Sequence, residues 1–330
     1  IMNSNNKINN AKYKLKKVNL SIAQDFWEKS PQSTFFTDPD KINILENNID
    51  WWIVSKGDED LCMWSVCYSK KNIVHLPSFS YYFGPIWSSS FLKYSNHSKF
   101  NLYCKIYDIY ISDFIKRYKK FKFQTHFSEH DLRYFIWWKQ NTKKFLIKPK
   151  YSSAIYNLKN KNVDEILSNF RELRRRMIVK AKKNKELILS DRFQINEIIN
   201  LYKKTLKNKK QKVDKEIIKK IKIFCDVCKN GDGKLVGFRE IKKKKIVSVI
   251  LLTYSKDTAN LILNLSDLNW RKTGVTALNM LEALKETKQS GLDIFDFNGA
   301  NSPIGADDKH SYGSEFKLYF ELELKSSRNK

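Results

Sequence analysis

A strand–loop–helix–strand pattern between residues 260 and 297 most restricts the fold of this chain. An apolar strand from Asn260 to Ser266 leads into a basic loop and then an amphipathic helix from about Thr276 to Lys288, which ends before Gly291. The segment from Asp293 to Phe297 again has the pattern of a strand. Such a unit is typical of α/β proteins, in which helices cover a sheet.

The length of 330 residues corresponds to about two domains of ~150 residues. Strand and helix patterns alternate through the first half, and one basic helix is predicted from about Val163 to Asn184. A polar loop is expected from Ile304 to Gly313. The predicted division is a flexible basic arm with a lead-in strand (1–20), an N-terminal domain (21–157) and a C-terminal domain (158–330).

Composition narrows the class of protein further. Aromatic residues make up 14% of the chain, which is too high for a disordered polymer. The sequence contains no apolar run of ~20 residues and no signal-peptide pattern at its start, and its cysteines number five, so we expect a cytoplasmic protein with reduced thiols and no transmembrane segment. The formal net charge of +27 favours anionic partners, although a general Lys and Asn bias could produce the same excess.

The loop that opens the helix at Thr276 has the composition of a phosphate site. Arg271 and Lys272 supply cations, and Gly274 permits a tight turn at the positive end of the helix dipole. An ordinary turn has the same pattern. The arrangement Arg-x-x-Gly-x-Thr resembles the phosphate loop of GNAT-type acyltransferases, which implies that Arg271, Gly274 and Thr276 bind the pyrophosphate of acyl-CoA.

Several further motifs, taken in order, resemble those of the Fem-type (FemAB-like) acyltransferases, which are tandem GNAT proteins. The motifs are Ser30–Phe36, Tyr81–Ile86 with its Gly-Pro pair, Asp131–Trp137, the Arg-rich helix 169–181, Phe295–Pro303 and Phe316–Phe320. The resemblance implies a fold of two tandem GNAT-like domains, each a mixed β-sheet flanked by helices. It also implies N-acyl or aminoacyl transfer to an amino group of a nucleotide- or lipid-linked precursor of a cell-surface glycan or of peptidoglycan.

The same resemblance assigns roles to particular residues. Lys317 corresponds to a lysine that offsets negative charge at the acyl centre, and Asp296 either orients the amine or caps a strand. A change of Lys317 to alanine is then expected to reduce turnover by orders of magnitude and to leave thermal stability nearly unchanged. The predicted substrate-binding residues are Tyr81, Tyr82, Arg174, Arg175, Asn298 and Phe316.

The donor and the partners stay open at this stage. The charge suits aminoacyl-tRNA and the loop at Arg271 suits acyl-CoA, while a lipid-linked acceptor implies peripheral contact with anionic lipid at the inner membrane face. The alternative is a non-catalytic protein that binds nucleic acid through its basic helices. No metal is expected, because His126-x-x-Glu129-His130 follows a strand pattern and Cys225-x-x-Cys228 has no second cysteine pair.

Overall fold

The structure is a computed structural model that describes residues 13–137, 145–208 and 210–325. Contacts group the described residues into two units. The first unit contains the residues up to Pro149 and those from Tyr319 onward, and the second runs from Lys150 to Leu318. The arm predicted for residues 1–12 lies outside the described residues, and the predicted domain bounds stay predictions.

The first unit is built on an antiparallel sheet of order β1-β2-β3-β4 and on a separate strand pair. Strand β5 pairs with the C-terminal half of strand β12, from Glu321 to Lys325. Strand β6 begins in this unit and ends in the second. The strand bounds are β1 (Tyr13–Val18), β2 (Ile49–Lys56), β3 (Glu59–Cys67), β4 (Pro85–Trp87), β5 (Lys120–Gln124), β6 (Phe145–Ile155) and β12 (Glu315–Lys325).

Aromatic packing forms the core of the first unit. The Trp64 ring makes edge or tilted contacts with Phe114, Phe121 and Phe123, whose centroids lie 4.6–5.4 Å away. Such pairs add to the free energy gained by burying the rings. The helices of this unit are α1 (Leu20–Lys29), α2 (Pro39–Leu45), α3 (Ser89–Leu92), α4 (Asn96–Arg117) and α5 (Arg133–Trp137), with a 3₁₀ turn at Phe35–Thr37.

The second unit has a mixed sheet of order β11-β10-β9-β8-β7, and the end of β6 pairs with β11. Strands β10 and β11 are parallel and the other neighbours are antiparallel. The strand bounds are β7 (Leu187–Ser190), β8 (Gly233–Glu240), β9 (Ile246–Ser255), β10 (Thr258–Ser266) and β11 (Ile294–Gly299). The parallel pair and its crossover helix are the strand–loop–helix–strand unit that the sequence predicts.

The helices of the second unit include the crossover helix, whose apolar face packs on the sheet through Ala277, Leu281 and Leu284. The helix bounds are α6 (Val163–Ser168), α7 (Glu172–Lys182), α8 (Ile195–Asn208), α9 (Lys215–Lys229), α10 (Leu268–Arg271), α11 (Val275–Gln289) and α12 (Pro303–His310), with a 3₁₀ turn at Leu158–Asn160. The prediction of an α/β fold with β-sheets flanked by helices is confirmed. The sheet of the second unit is mixed, as predicted, whereas β1 to β4 of the first unit are antiparallel throughout.

Two segments differ from the sequence-based expectation. The single helix predicted over 163–184 is two helices, α6 and α7, because Phe170 turns into the core and the Arg171 N–H donates to the Ser311 carbonyl (2.9 Å). The loop predicted over 304–313 is mostly helix α12, which begins with Ser302 as N-cap and Pro303 in its first turn. In the described part of the chain, no helix is long and apolar enough to span a membrane.

Gly274 sits at a close approach between two helices of the second unit. Its φ is +87°, and a Cβ built on it would lie 2.2 Å from the Met177 carbonyl oxygen of α7. The Lys180 ammonium also donates to the Lys272 carbonyl (2.9 Å). The N-terminus of α11 is therefore packed against the backbone of α7, which only glycine allows at this distance.

A Gly274→Ala change is expected to lower the free energy of unfolding by about 3 kcal/mol, because both the left-handed backbone and the Met177 carbonyl oppose a methyl group. Gly291→Ala is the matched control, since its φ is +72° but nothing lies within 4 Å of the added Cβ. That variant should lose only about 1 kcal/mol. Urea unfolding measures both, and equal losses would contradict the close contact with α7.

Candidate active site

Strands β10 and β11 separate part of the way along their length. The pairing joins Thr258–Asn260 to Ile294–Asp296 and is not continued in the remainder of the two described strands. Beyond this pairing, the side-chain nitrogen Nδ2 of Asn298 donates to the Leu261 carbonyl (2.8 Å). A side-chain hydrogen bond therefore replaces the next backbone bond between the two strands. The end of β11 therefore borders an opening in the sheet, and several polar side chains gather there.

A buried ion pair lies beside this opening. The Lys317 ammonium is 3.1 Å from Asp296 Oδ2, and the two side chains are 4% and 2% exposed. The same ammonium lies 5.2 Å from the centre of the Tyr156 ring. Burial raises the pKa of Tyr156 above its ordinary value, while the positive charge of Lys317 offsets part of that rise. Lys317 is thus not the solvated surface lysine that its sequence context also permits, and we expect its removal to cost stability.

Asn298 connects the ion pair to the backbone of β11. The backbone N–H of Asn298 donates to Asp296 Oδ1 (2.7 Å). Asn298 has a φ of +59° and lies at a bulge in the pairing of β11 with β6. Its side-chain oxygen is buried and has no hydrogen-bond partner among the described residues. The carboxylate of Asp296 therefore accepts bonds at both oxygens, and the Asn298 oxygen is left available to a donor that enters the opening.

Lys309 of α12 bonds to the backbone at the end of β11. Its ammonium donates to the carbonyls of Phe297 (2.7 Å), Asn298 (3.0 Å) and Gly299. Burial lowers the pKa of Lys309 to about 8, although the nearby carboxylates of Asp296 and Asp308 act in the opposite direction. Three carbonyls use all three protons of the ammonium, so the charged form fixes this turn most firmly.

Helix α12 is held in turn by arginines of α7 and of the segment before it. The Arg174 guanidinium contacts the Ser311 hydroxyl (2.7 Å) and the Asp308 carboxylate, and it stacks over the Tyr312 ring. Arg171 pairs with Asp307 at 2.5 Å. Arg175 is exposed, and among the described residues its guanidinium donates only to the Ser168 carbonyl (2.9 Å). Of the two predicted phosphate ligands, Arg174 is engaged inside the unit, and Arg175 is the more accessible.

Phe316 and Lys317 are neighbours on β12 but face opposite ways. Phe316 is 59% exposed, and its ring meets those of His310 (3.8 Å) and Tyr151 (6.0 Å) at steep angles. Lys317 is 5% exposed. The alternation of a strand separates them, so a ligand on Phe316 lies on the other face of β12 from the ion pair.

The predicted phosphate loop is less open than its sequence indicates. Gly274 is buried against α7, and the Val275 N–H already donates to the Thr273 hydroxyl (3.4 Å). The Thr276 hydroxyl is buried, with no partner among the described residues, while Arg271 is exposed and donates to Ser266 (3.3 Å). Pyrophosphate binding by Arg271, Gly274 and Thr276 stays a prediction.

Three of the motifs noted in the sequence meet within the first unit. Gln32 accepts from the Trp87 N–H (3.0 Å) and donates to the Ser128 hydroxyl (3.0 Å). The Tyr81 ring packs on Phe36 at 5.3 Å, and Tyr82, which is 1% exposed, packs on Tyr319 at 4.9 Å. The accessible member of the tyrosine pair is therefore Tyr81, and a substrate-binding role for either tyrosine stays a prediction.

The His126–His130 segment of the first unit does not form a helix that presents two histidines. His126 is buried and bonds Ser128 (2.7 Å), whereas His130 is exposed. Burial raises the pKa of Glu129 to about 7, so this carboxyl changes its charge near neutral pH. Within the ranges that the structure describes, no three His, Cys, Asp or Glu side chains form a metal-binding group.

Sequence reasoning missed Tyr156 and Lys309. Tyr156 directly follows β6, and no motif marks it. The Ser302-Pro303 pair, which is typical of a helix start, could have revealed α12 and with it a lysine in the last turn of that helix. The structure brings Lys317, Asp296 and Asn298 together, and the catalytic and substrate-binding roles that the Fem-type motifs imply for them stay predictions.

Comparisons with known proteins identify the fold. Among solved structures the chain is similar to FemX, with a TM-score of 0.59 and 11% identity over 93% of this chain and 96% of that chain. It is similar to a tandem GNAT protein from the clavulanic acid biosynthesis pathway, with a TM-score of 0.58 and 7% identity over 97% and 100%. The chain is also similar to L-PGS from Bacillus licheniformis, with a TM-score of 0.56 and 10% identity over 95% of this chain and 94% of that chain.

No protein-family model matches the chain. No curated protein matches it either. At 7–11% identity the structural matches establish the fold alone. The expectation from the sequence is confirmed at that level, and the chain has the Fem-like tandem GNAT fold.

Proposed function

We propose that this chain is an N-acyltransferase that moves an acyl or aminoacyl group onto an amino group of a nucleotide- or lipid-linked precursor of a cell-surface glycan or peptidoglycan. The observation that carries the proposal is the buried Lys317–Asp296 pair beside the opening between β10 and β11. The similarity to FemX and the Fem-type motifs support the same reaction class.

In such a reaction a neutral amine attacks the carbonyl carbon of an ester or thioester. The carbonyl oxygen becomes an oxyanion, and the intermediate then expels the alcohol or thiol, which takes up a proton as the amine loses one. Lys317 is the cation next to the opening, and a carbonyl that enters it would have its oxyanion stabilised by the ammonium. A fixed cation in a desolvated site stabilises that charge more than it stabilises the ground state.

The surrounding groups position Lys317. Asp296 accepts from both Lys317 and the Asn298 N–H, so we assign it to orienting the ammonium rather than to removing the proton of the amine. Tyr156 borders the same ammonium. Lys309 holds the three carbonyls that follow Asp296 and thereby fixes the left-handed turn at Asn298.

Of the two donors that the sequence leaves open, we propose aminoacyl-tRNA. An acyl-CoA donor needs free N–H groups at the start of α11, and this terminus is packed against α7. An aminoacyl-tRNA does not need to place a phosphate at the start of α11. Its many phosphates also suit a chain of net charge +27.

The acceptor is proposed to present a phosphate. Arg175 is exposed and offers the planar fork that binds phosphate with two hydrogen bonds. A lipid-linked acceptor would bring the protein to anionic lipid, and we propose a cytoplasmic location with peripheral contact at the inner membrane face.

The donor can be tested by thermal stabilisation with acetyl-CoA, CoA, UDP-sugars, charged tRNA and uncharged tRNA at two salt concentrations. We expect the largest shift with charged tRNA, and a smaller shift at higher salt. A shift with CoA that Arg271→Ala abolishes would identify an acyl-CoA enzyme instead. Equal shifts with any RNA would support the nucleic-acid-binding alternative and contradict aminoacyl transfer.

Lys317→Met is expected to lower turnover by about a hundredfold or more. Because it leaves Asp296 buried without its cation, it should also lower the free energy of unfolding by about 3 kcal/mol. The paired variant Asp296→Asn/Lys317→Met removes both charges and should regain most of the stability without regaining turnover. Steady-state rates and urea unfolding separate the two effects.

The exposed Glu216–Lys219 pair gives the control, since Glu216→Gln/Lys219→Met makes the same chemical changes on the surface of α9. It should leave both turnover and stability near the unmodified values. Recovery of turnover in the paired variant at 296 and 317 would remove Lys317 from the reaction.

Lys309 predicts a dependence of stability on pH. Its pKa is about 8 in the folded protein against an ordinary value of 10.5, so between these values the unfolded chain holds a proton that the folded chain has lost. Stability from this group therefore rises with pH across that window, by roughly 3 kcal/mol. Unfolding curves from pH 7 to 11 should show that rise in the unmodified protein and in Lys288→Met, and should lack it in Lys309→Met. Identical curves for all three would refute the buried ammonium.

A further inference from the structure

A groove lies at the β7 edge of the second unit, at the end of the sheet opposite to β11. It has a volume of about 760 Å³. Apolar side chains of Ile188, Phe193 and Ile241 line it together with the cations of Arg192 and Lys244. Four strand spacings of ~4.8 Å place it roughly 19 Å across the sheet from β11. The groove is thus separate from the opening between β10 and β11.

Arg239 builds the walls of this groove. Its guanidinium donates to the Lys244 carbonyl (2.8 Å) on one side and to the Arg192 carbonyl (2.9 Å) on the other. It also makes a two-pronged ion pair with Glu197, with both distances at 2.7 Å, and lies over the Phe193 ring. Glu197 neutralises Arg239, so the guanidinium fixes the shape of the groove and adds little to its charge.

The rim of the groove is positively charged. Four consecutive lysines, 242–245, form the exposed turn between β8 and β9, and Arg192 is exposed on the opposite wall. Four acidic residues lie next to this rim. Glu240 is 4.0 Å from Lys243, Asp267 is 4.0 Å from Lys245, Asp191 precedes Arg192 and is 3.9 Å from Lys234, and the Glu186 carbonyl accepts from the Ile241 N–H. Arg192, Lys242 and Lys244 make no ion pair with any residue that the structure describes. A net positive charge therefore borders the groove.

Branched aliphatic side chains project between these cations. Ile188 is 53% exposed, Leu189 is 51% exposed and Ile241 is 48% exposed. Ile188 and Leu189 are successive residues of β7 and point to opposite faces of the sheet. The edge of the unit therefore presents apolar groups on both faces, surrounded by lysine and arginine.

We propose that this edge, defined by β7, Arg192, Ile241 and the lysine turn 242–245, is the surface on which the protein sits on an anionic membrane. Acidic headgroups complement the rim, and the aliphatic side chains can enter the boundary between headgroups and acyl chains. RNA would match the charge, but the Phe193 ring of the groove is covered by the Arg239 guanidinium, and the three exposed aliphatics offer no ring on which a base could stack. A second copy of the chain would bring the same cations against each other.

The membrane surface rests on the proposed function in one respect: a lipid-linked acceptor explains why the protein would bind a membrane. Its test needs neither the donor nor the acceptor. The purified chain is mixed with vesicles of phosphatidylcholine alone or with 30% phosphatidylglycerol, and the bound fraction is measured by flotation at two salt concentrations. We expect binding to the anionic vesicles only, and weaker binding at higher salt.

Two variants and two matched controls locate the surface. Lys242→Gln/Lys244→Gln should weaken binding about tenfold, whereas Lys215→Gln/Lys222→Gln, the same charge change on exposed positions of α9, should have little effect. Ile188→Ser/Ile241→Ser should weaken vesicle binding several-fold and leave RNA binding unchanged. Ile22→Ser/Ile44→Ser, at exposed isoleucines of α1 and α2, should do neither.

Equal losses in both lysine pairs would overturn the proposal in favour of a general charge effect. Vesicle binding that is unchanged in Ile188→Ser/Ile241→Ser would overturn the proposal in favour of a purely electrostatic surface that could equally bind RNA. Self-association that Ile188→Ser/Ile241→Ser abolishes, without vesicle binding, would assign the edge to a second copy. A loss of turnover in the Lys317 variants with vesicle binding intact would leave this surface in place, so the two proposals fail separately.

Discussion

The buried pair of Lys317 and Asp296 is the interaction on which the end of β11 depends. Removing two charges from water costs several kcal/mol per ion, and their attraction compensates only when the geometry is good and the remaining polar atoms are bonded. The structure meets that condition through the Asn298 N–H on the second carboxylate oxygen and through Tyr156 beside the ammonium. The left-handed turn at Asn298 is what makes the first of these bonds possible.

Residues outside β11 stabilise the left-handed turn at Asn298. Lys309 bonds three successive carbonyls, and α12, which carries it, is tied to α7 and the residue before it by Arg174 and Arg171. Helix α7 also meets Gly274 at the start of α11. One basic helix thus supports both the end of β11 that carries Asp296 and Asn298 and the loop before α11, which resembles the phosphate loop of GNAT-type acyltransferases. Of the two arginines predicted as phosphate ligands, Arg174 contributes to this support and Arg175 does not.

The fold and the members of the site could be predicted unevenly from the sequence. Hydrophobic periodicity placed β10, α11 and β11, because each buries one face against the same core. The break between α6 and α7 was not predictable, since it results from Phe170 packing and from a hydrogen bond to Ser311, 140 residues further along the chain. Phe316 and Lys317 share a motif, yet strand alternation puts them on opposite faces.

The sequence by itself determined the class of fold, the order of motifs and the candidate pair Asp296 and Lys317, because these depend on local pattern and on residue type. The tertiary structure decided which polar groups are buried, and burial sets whether a lysine is a surface charge or part of a site. It also decided that the start of α11 is covered by α7 and that the basic turn 242–245 lies beside the exposed aliphatics of β7. Both outcomes depend on contacts between residues far apart in the chain, which local pattern does not encode.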